Sequence, residues 1–458
     1  MPGTAGAVDP IYPRIRRSRA NDANEGANVN NEGGALTPAD RGFLLKLQRQ
    51  ALQYFLDNQV PGGLILDRQH NHGPRRPHGL CSTTATGMGF IGMALASALP
   101  YRLISPGSAA QRIRAGLLAA LQRLPHDHGV VPHFTHSATN EVVGVDYFST
   151  VETAWLATGA LWAAAFLQDM TLEALACRLY TRIDWHYWTA PEYPHARGLL
   201  RHGKGRDGYF LSCSWDRLNG ETAFMYVLAA GATEPCAIGS TAWTALQPFH
   251  GTVAGLRFNN ADLGLFVFQY GLDLLDLMQW RAPGDVDLLA EAKVATMANH
   301  QACREAAGKF ATYQRYWGLS PGDGPGQHAD SDAYRCYAPS GPIDGTAHLT
   351  ATLASVAHDP GTVLQNLLEA QHDRALQARG RYGFSNVNLD RHWMSRDMVG
   401  IDVGAAVLAL DNYLMNNRVR NVFQAIPCVH RGLERLGFTR TARPPAMANE
   451  ADTVRRAS

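Results

Sequence analysis

The stretch DYFSTVETAWLATGALWAAAFL, residues 146–167, decides the fold, because beyond Glu152 it runs to Leu167 without a single charge. A helix that is apolar all round belongs in an interior. A second stretch, LNGETAFMYVLAAGA over 218–232, repeats the arrangement with Glu221 at the head of another uncharged run. Each glutamate therefore stands where a buried helix begins, at the mouth of the core, and burial is costly for a charge unless partners or a functional pKa shift compensate. Paired carboxylates at such a mouth point to acid/base work, most simply glycosidic bond cleavage. Each also has a structural alternative. Ser149-Thr150-Val151-Glu152 matches the S-x-x-E capping box, and Glu221 in a first helical turn gains from the helix dipole.

On either side of these two stretches, helix follows helix. Thr37-Pro38-Ala39-Asp40 supplies an N-cap, an N1 proline and an acidic third position ahead of one run. Similar runs lie near 82–99, 106–124, 171–183, 240–247, 262–280, 285–306, 345–357, 360–378, 398–417 and 420–436, which makes about a dozen helices. The runs near 82, 148, 218 and 398 are rich in small residues and nearly uncharged, whereas 106–124, 171–183 and 285–306 carry charges on one face. That contrast predicts inner helices wrapped by outer ones, an all-α closed double ring or (α/α)6 barrel, with the cavity at the N-termini of the inner helices. A helical solenoid is the competing arrangement, but no repeat of fixed period supports it. Convincing period-2 strands are few, and the long segments 184–217 and 307–344 read as functional loops. Residues 1–36 and 440–458 are poor in large apolar groups and are expected to be disordered, leaving 37–439 as one catalytic domain.

Composition narrows the chemistry. A net charge of +1 gives no electrostatic case for a nucleic-acid or anionic-membrane partner, and the longest apolar stretches fall short of the roughly 18 to 20 residues that span a bilayer. Nine Trp and sixteen Tyr suit sugar recognition, since flat rings stack on pyranose faces while indole N–H and phenol O–H groups reach hydroxyls. Seven scattered cysteines without a CxxC pair suggest neither a disulfide framework nor a zinc site. His126, His128, His133 and His136 in HDHGVVPHFTH have spacings that could converge on a metal, yet no H-E-x-x-H motif accompanies them, and loop histidines are expected. GDGPGQH (322–328) lacks the lysine of a phosphate loop, so neither a metal nor a nucleotide cofactor is expected. Arg16-Arg17 is followed by no apolar h-region, so the sequence as written places the protein in the cytoplasm; an export signal hidden by a misassigned start would place it in the periplasm. The oligomeric state is not readable from these residues.

Glycoside hydrolysis needs one protonated carboxyl to give a proton to the leaving oxygen and one ionised carboxylate to activate water or attack directly. Glu221 is assigned the first role and Glu152 the second, and the exchange of roles is open. Whichever acts as acid must have its pKa raised by burial or by a neighbouring negative charge, which Asp146 in VDYFST or Asp402 in GIDVG could supply.

The chain resembles the glucoamylase-like (α/α)6 family, and in particular glycoside hydrolase family 144, the endo-β-1,2-glucanases. The motifs that carry the resemblance are YFLDNQVPGGLILDR (54–68), STTATGMGF (82–90), DYFSTVETAWLATGAL (146–161), RIDWHYW (182–188), GYFLSCSWDRLNGETAFMYVLAAG (208–231), YQRYWGLSPGDGP (313–325), DGTAHLTA (344–351), RYGFSNVNLD (381–390) and GIDVGAAVLALDNY (400–413). The resemblance implies endo-acting hydrolysis of linear β-1,2-glucan without a cofactor. It puts Glu221 on the glutamate of the family's N-E pair and Glu152 on the acidic position of S-T-x-[DE]-T. It puts Asp146 and Asp402 on acidic positions near the same cavity, and Asp67, Arg68, Tyr147, Trp215, Tyr270, Trp317, Asp344, Tyr382 and Asn388 on motifs expected to line it. Three departures stand out: Leu218 replaces the usual tyrosine, Asn219-Gly220-Glu221 replaces the direct N-E pair, and Asp411 stands where a glutamate is common. The alternatives are a transglycosylase, a hydrolase for another glucan linkage, and a catalytically silent glucan-binding protein.

Overall fold

The computed structural model describes residues 36–190, 198–328 and 331–441. The segments expected to be disordered therefore lie outside the described residues, apart from Leu36 and residues 440–441. Thirteen α-helices are present among the described residues: α1 Pro38–Asp57, α2 Thr83–Ala96, α3 Pro106–Gln122, α4 Thr150–Leu167, α5 Met170–Thr181, α6 Gly220–Ala230, α7 Thr241–Ala245, α8 Leu288–Ala306, α9 Leu349–Ala354, α10 Pro360–His372, α11 Gly400–Leu414, α12 Arg418–Gln424 and α13 Pro427–Arg435. Every residue of α2 is buried, and α4, α6 and α11 are buried along most of their length. By contrast α1, α3, α5, α8 and α10 bury only one face. The uniformly apolar runs are thus the inner helices and the amphipathic ones the outer, as their patterning predicts.

The inner ring closes through a circuit of contacts: α2 with α4, α4 with α6, α6 with the 3-10 turn Leu265–Phe268, that turn with α9, α9 with α11, and α11 with α2. The fold is all-α, an (α/α)6 double ring. One expected helix differs. Residues 262–280 form the 3-10 turn and a chain of further turns instead: Gly271 takes φ 72°, a conformation that residues with side chains rarely adopt, where its backbone lies against α6 and a Cβ would fall 2.0 Å from the Gly220 carbonyl oxygen. The expected run 420–436 is likewise two helices, with Pro427 opening the second.

Two glycines set the spacing of the ring. A Cβ on Gly159 of α4 would meet the Gly87 carbonyl oxygen at 1.9 Å, and one on Gly87 of α2 would meet the Trp155 carbonyl oxygen at 2.3 Å. Here α2 and α4 touch backbone to backbone, which only small residues allow. Strands are short, two to four residues each among the described residues, too short to display alternation in the sequence. They cluster where inner helices start: Leu80–Ser82 leads into α2, Phe148–Ser149 into α4 and Asp397–Val399 into α11. The largest sheet joins Ile65–Leu66, Leu80–Ser82, Phe134–His136 and Val142–Val143. One hydrophobic cluster extends from Leu44 to Phe438.

The α2–α4 contact yields a direct expectation. Gly159→Ala should lower stability by roughly 3 kcal/mol or more, since neither backbone can yield to the added methyl. Gly107→Ala, in the first turn of α3 with open space around it, should not destabilise. Thermal unfolding of the two variants checks this, and an unchanged melting temperature for Gly159→Ala would refute the close contact.

Candidate active site

Strand Phe134–His136 pairs with Leu80–Ser82, Ser82 opposite Phe134, which lays residues 131–134 across the starts of two inner helices. The Thr83 N–H donates to the His133 carbonyl at 3.0 Å and the Thr83 hydroxyl to the Pro132 carbonyl at 2.6 Å. On the other side the Ser149 N–H donates to the Val131 carbonyl at 3.1 Å, and the Val131 N–H to the Thr153 hydroxyl at 2.9 Å. His133 is thereby fixed between the head of α2 and the head of α4.

Glu152 meets it there. One carboxylate oxygen, Oε1, lies 3.1 Å from His133 Nε2, and the other, Oε2, accepts the Thr84 N–H of α2 at 3.1 Å. The Ser149 side chain makes no capping bond and its amide is taken by Val131, so the S-x-x-E sequence is not a closed capping box here. The opposite ring nitrogen of His133, Nδ1, is in short contact with Asp146 Oδ2. Burial alone would lower the His133 pKa, but Glu152 and Asp146 outweigh it and hold it up at about 9. Burial raises the Glu152 pKa, with His133 and the Thr84 amide opposing that rise.

Glu221 enters from α6. Asn219 caps that helix by accepting the Thr222 N–H at 2.9 Å. Gly220, the extra residue in Asn219-Gly220-Glu221, packs against the backbone of the next segment: a Cβ on it would lie 2.5 Å from the Tyr270 carbonyl oxygen. Glycine at this position therefore lets Glu221 start its helix beside Tyr270. Burial first and then the charge of Glu152 push the Glu221 pKa up to about 8, while the Trp155 indole and His133 pull in the other direction. The third wall comes from α11. Asp402 accepts from the Tyr270 hydroxyl at 3.4 Å, and burial together with Asp323 and Asp67 raises its pKa to about 7. Beside it Arg68 bridges Asp67 at 3.1 Å and Asp323 at 3.0 Å.

These groups share one cavity of about 550 Å³, lined by Asp67, Arg68, His133, Asp146, Glu152, Trp215, Glu221, Tyr270 and Asp402, together with His202, Phe134, Phe266 and Tyr334. Trp215 is held edge and face, its indole N–H donating to the Thr150 hydroxyl at 3.1 Å and its ring stacked on His202. Eight residues singled out in the sequence thus converge. Five others lie outside the lining. Tyr147 packs beside Phe148 under the Arg206 guanidinium. Trp317 lines a separate cavity with His300 and Asn366. Asp344 accepts from Tyr337 and Thr346, Asn388 donates to the Asp344 carbonyl and Thr346, and Tyr382 is buried against Tyr54 with its hydroxyl on Asp57. These tie loops together. His133, His202, Phe134, Phe266 and Tyr334 line the cavity without having been placed there by the sequence reading, and Asp323 reaches it through Arg68. For His133 the sequence did carry a signal, its histidine-rich segment, but those histidines read as polar loop residues. Among the described residues no group of three or more His, Cys, Asp or Glu side chains is placed to hold a metal ion.

Comparison with known proteins agrees with this geometry at the level of fold. A family described as "Putative glucoamylase" matches residues 212–427, which include Trp215, Glu221, Tyr270 and Asp402. No curated protein matches the chain in sequence. Among solved structures, a putative glucoamylase from Bacteroides uniformis superposes with a TM-score of 0.76 at 19% identity, over 89% of this chain and 99% of its own. The endo-β-1,2-glucanase of Chitinophaga pinensis, in complex with sophorotriose and glucose, gives 0.76 at 19% identity over 88% and 99%. The β-1,2-glucanase of Parabacteroides distasonis gives 0.75 at 20% identity over 88% of this chain and 60% of its own. The protein accordingly has the (α/α)6 fold of the glucoamylase-like family, whose resemblance its motifs carry and whose model it matches over 212–427.

Proposed function

We propose that the protein is a glycoside hydrolase, an endo-β-1,2-glucanase that cleaves linear β-1,2-glucan. One observation carries the reading: Glu152 and Glu221, from different inner helices, face a single open cavity, Glu152 with an imidazole and a backbone amide as partners and Glu221 with burial and the Glu152 charge raising its proton affinity. Glu221, held protonated up to about pH 8 by burial and by the nearby Glu152 charge, gives its proton to the glycosidic oxygen as the bond to the anomeric carbon breaks. Glu152, whose carboxylate form is favoured by His133 and the Thr84 N–H against the effect of burial, takes the proton of the attacking water or itself attacks the anomeric carbon. Asp146 acts on Glu152 through His133. Asp402 and Tyr270 face the sugar from the opposite wall, and Trp215 supplies a ring. Support for β-1,2-glucan as the substrate comes from the motifs and from the glucanases that share the fold.

Incubation with a panel of linear glucans, products resolved by chain length, tests the substrate. Short oligosaccharides from β-1,2-glucan alone are expected, and release only from an α-linked or other β-linked polymer would replace this substrate with that one. Glu221→Gln and Glu152→Gln should each lower kcat by roughly 10² to 10⁴ with folding intact. Near-normal turnover in either variant removes that residue from the mechanism.

Stability supplies a measurement independent of turnover. Because the folded-state pKa of Glu221 lies above its unfolded value, the folded protein binds the extra proton between about pH 4.5 and 8, so this group's contribution falls as pH rises through that window. Glu221→Gln should therefore be more stable than the parent, by on the order of 1–3 kcal/mol at pH 8 and by almost nothing near pH 4. Chemical denaturation at the two pH values reads it directly. A variant less stable than the parent at pH 8 would contradict the burial of an ionisable group at this position.

A further inference from the structure

We infer that His133 is a positioning residue for this reaction: as an imidazolium bridging Asp146 and Glu152, it favours the carboxylate form of Glu152 and aims it into the cavity. The inference rests on the reading of Glu152 as the working carboxylate, and the argument for the bridge itself comes from geometry.

Both ring nitrogens of His133 face carboxylate oxygens, Nε2 toward Glu152 Oε1 at 3.1 Å and Nδ1 toward Asp146 Oδ2 in short contact. A neutral imidazole carries one N–H and one lone pair, so it could satisfy one of those carboxylates while turning its lone pair on the other. Only the doubly protonated ring donates to both. The ring cannot easily turn away from this choice. Its backbone is held by the Thr83 amide, the adjacent Pro132 carbonyl is held by the Thr83 hydroxyl, and its face is stacked on Phe134 at 3.7 Å between centroids.

The ionisable groups that bear on His133 come from every wall. Asp146 lies on the loop before α4, Glu152 on α4, and Asp67 on the segment before Arg68; all three favour its charge. Glu221 on α6 in turn senses the positive ring, which opposes the rise caused by burial and by Glu152. His133 therefore acts on both proposed catalytic carboxyls with the same sign. Its positive charge makes each easier to ionise. Removing it should make Glu152 harder to deprotonate and Glu221 harder to deprotonate together, so the whole window of activity should move to higher pH. A histidine that merely filled space would change the rate without moving the window.

The test is the pH profile of kcat/KM on the glucan that the parent enzyme cleaves, measured for the parent, His133→Gln, Asp146→Asn and Glu152→Gln. In His133→Gln the acid limb is expected to rise by about 1 to 3 pH units, the range for a carboxylate that loses an adjacent cation. The alkaline limb is expected to move in the same direction, and the rate at pH 5 to 6 to fall at least tenfold. Asp146→Asn keeps the ring but removes one of its two anchors, and should shift the acid limb the same way by less. Independently of activity, nitrogen-15 spectra of histidine-labelled protein should contain one imidazolium that persists above pH 8 and is absent from His133→Gln. A His133→Gln profile that is scaled but unshifted, or a His133 ring that titrates in the ordinary range near 6.5, overturns the inference. If Glu152→Gln turns over normally, the assignment of Glu152 fails instead, and the nitrogen-15 spectrum still decides whether the bridge is charged. Should His133→Gln not fold, Asp146→Asn and the parent spectrum decide the question.

Discussion

The contact between Gly87 and Gly159 governs the geometry of the site. A helix pair separated by ordinary side chains stands 8–10 Å apart, whereas here a carbonyl oxygen of α2 sits where the Cβ of any larger residue on α4 would be. That closeness brings the first free amide of α2, at Thr84, within 3.1 Å of Glu152 on α4. Helix starts carry unsatisfied N–H groups and a positive end of the dipole, so a carboxylate in that position gains both a hydrogen bond and a favourable field. The same proximity lets the short strand Phe134–His136 and the residues before it lie across both helix heads and deliver His133 to Glu152. A second pair of glycines, Gly220 and Gly271, does the corresponding job for Glu221 by seating the head of α6 on the Tyr270 backbone.

Two electrostatic environments face each other across the cavity as a result. On one side Glu152 has a cation and an amide, and its neighbour Asp146 shares the cation. Arg68 serves Asp67 and Asp323 on the other side, while Asp402 beyond them has a tyrosine hydroxyl at 3.4 Å. Glu221 stands between, with burial and a nearby negative charge as its two largest influences. Identical functional groups thus meet three different sets of partners, while burial raises the proton affinity of Glu152, Glu221 and Asp402 alike. The difference in partners arises from which helix start or side chain each carboxyl meets.

The sequence made the ring legible because burial on all sides leaves a trace at every position: the uncharged runs after Glu152 and Glu221 can only be interior helices. Both glutamates, Asp146 and Asp402, singled out in the sequence, line one cavity. What was not legible shares a physical cause, which is that it depends on contacts distant in the chain. Residues 262–280 have helical composition, but Gly271 is bent to φ 72° by its meeting with Gly220, far back in the sequence. Ser149-x-x-Glu152 has the letters of a capping box, and only the arrival of α2 and His133 gives the glutamate better partners than the Ser149 amide. His133 was visible as one of four clustered histidines, yet its role comes from Asp146 and Glu152, beyond the reach of local spacing. Trp317, Asp344, Tyr382 and Asn388 belong to motifs shared with a family, and a motif can be kept by a loop's internal hydrogen bonds as readily as by a sugar.

The charge inventory of the cavity bears on what can enter it. Asp67, Asp146, Glu152, Glu221 and Asp402 line it against two positive groups, Arg68 and His133, both of which already have carboxylate partners. A sulfated, phosphorylated or uronic ligand would bring negative charge to a surface with an acidic excess and no unengaged cation among these lining groups, in surroundings where low dielectric strengthens repulsion. A neutral polyol meets no such barrier. Its hydroxyls can donate to carboxylate oxygens while its C–H faces lie against Trp215, Tyr270 and Tyr334. Burial first, and then the neighbouring carboxyls, raise the proton affinity of Glu221 and Asp402, and that same acidic lining disfavours an anionic ligand over a neutral one.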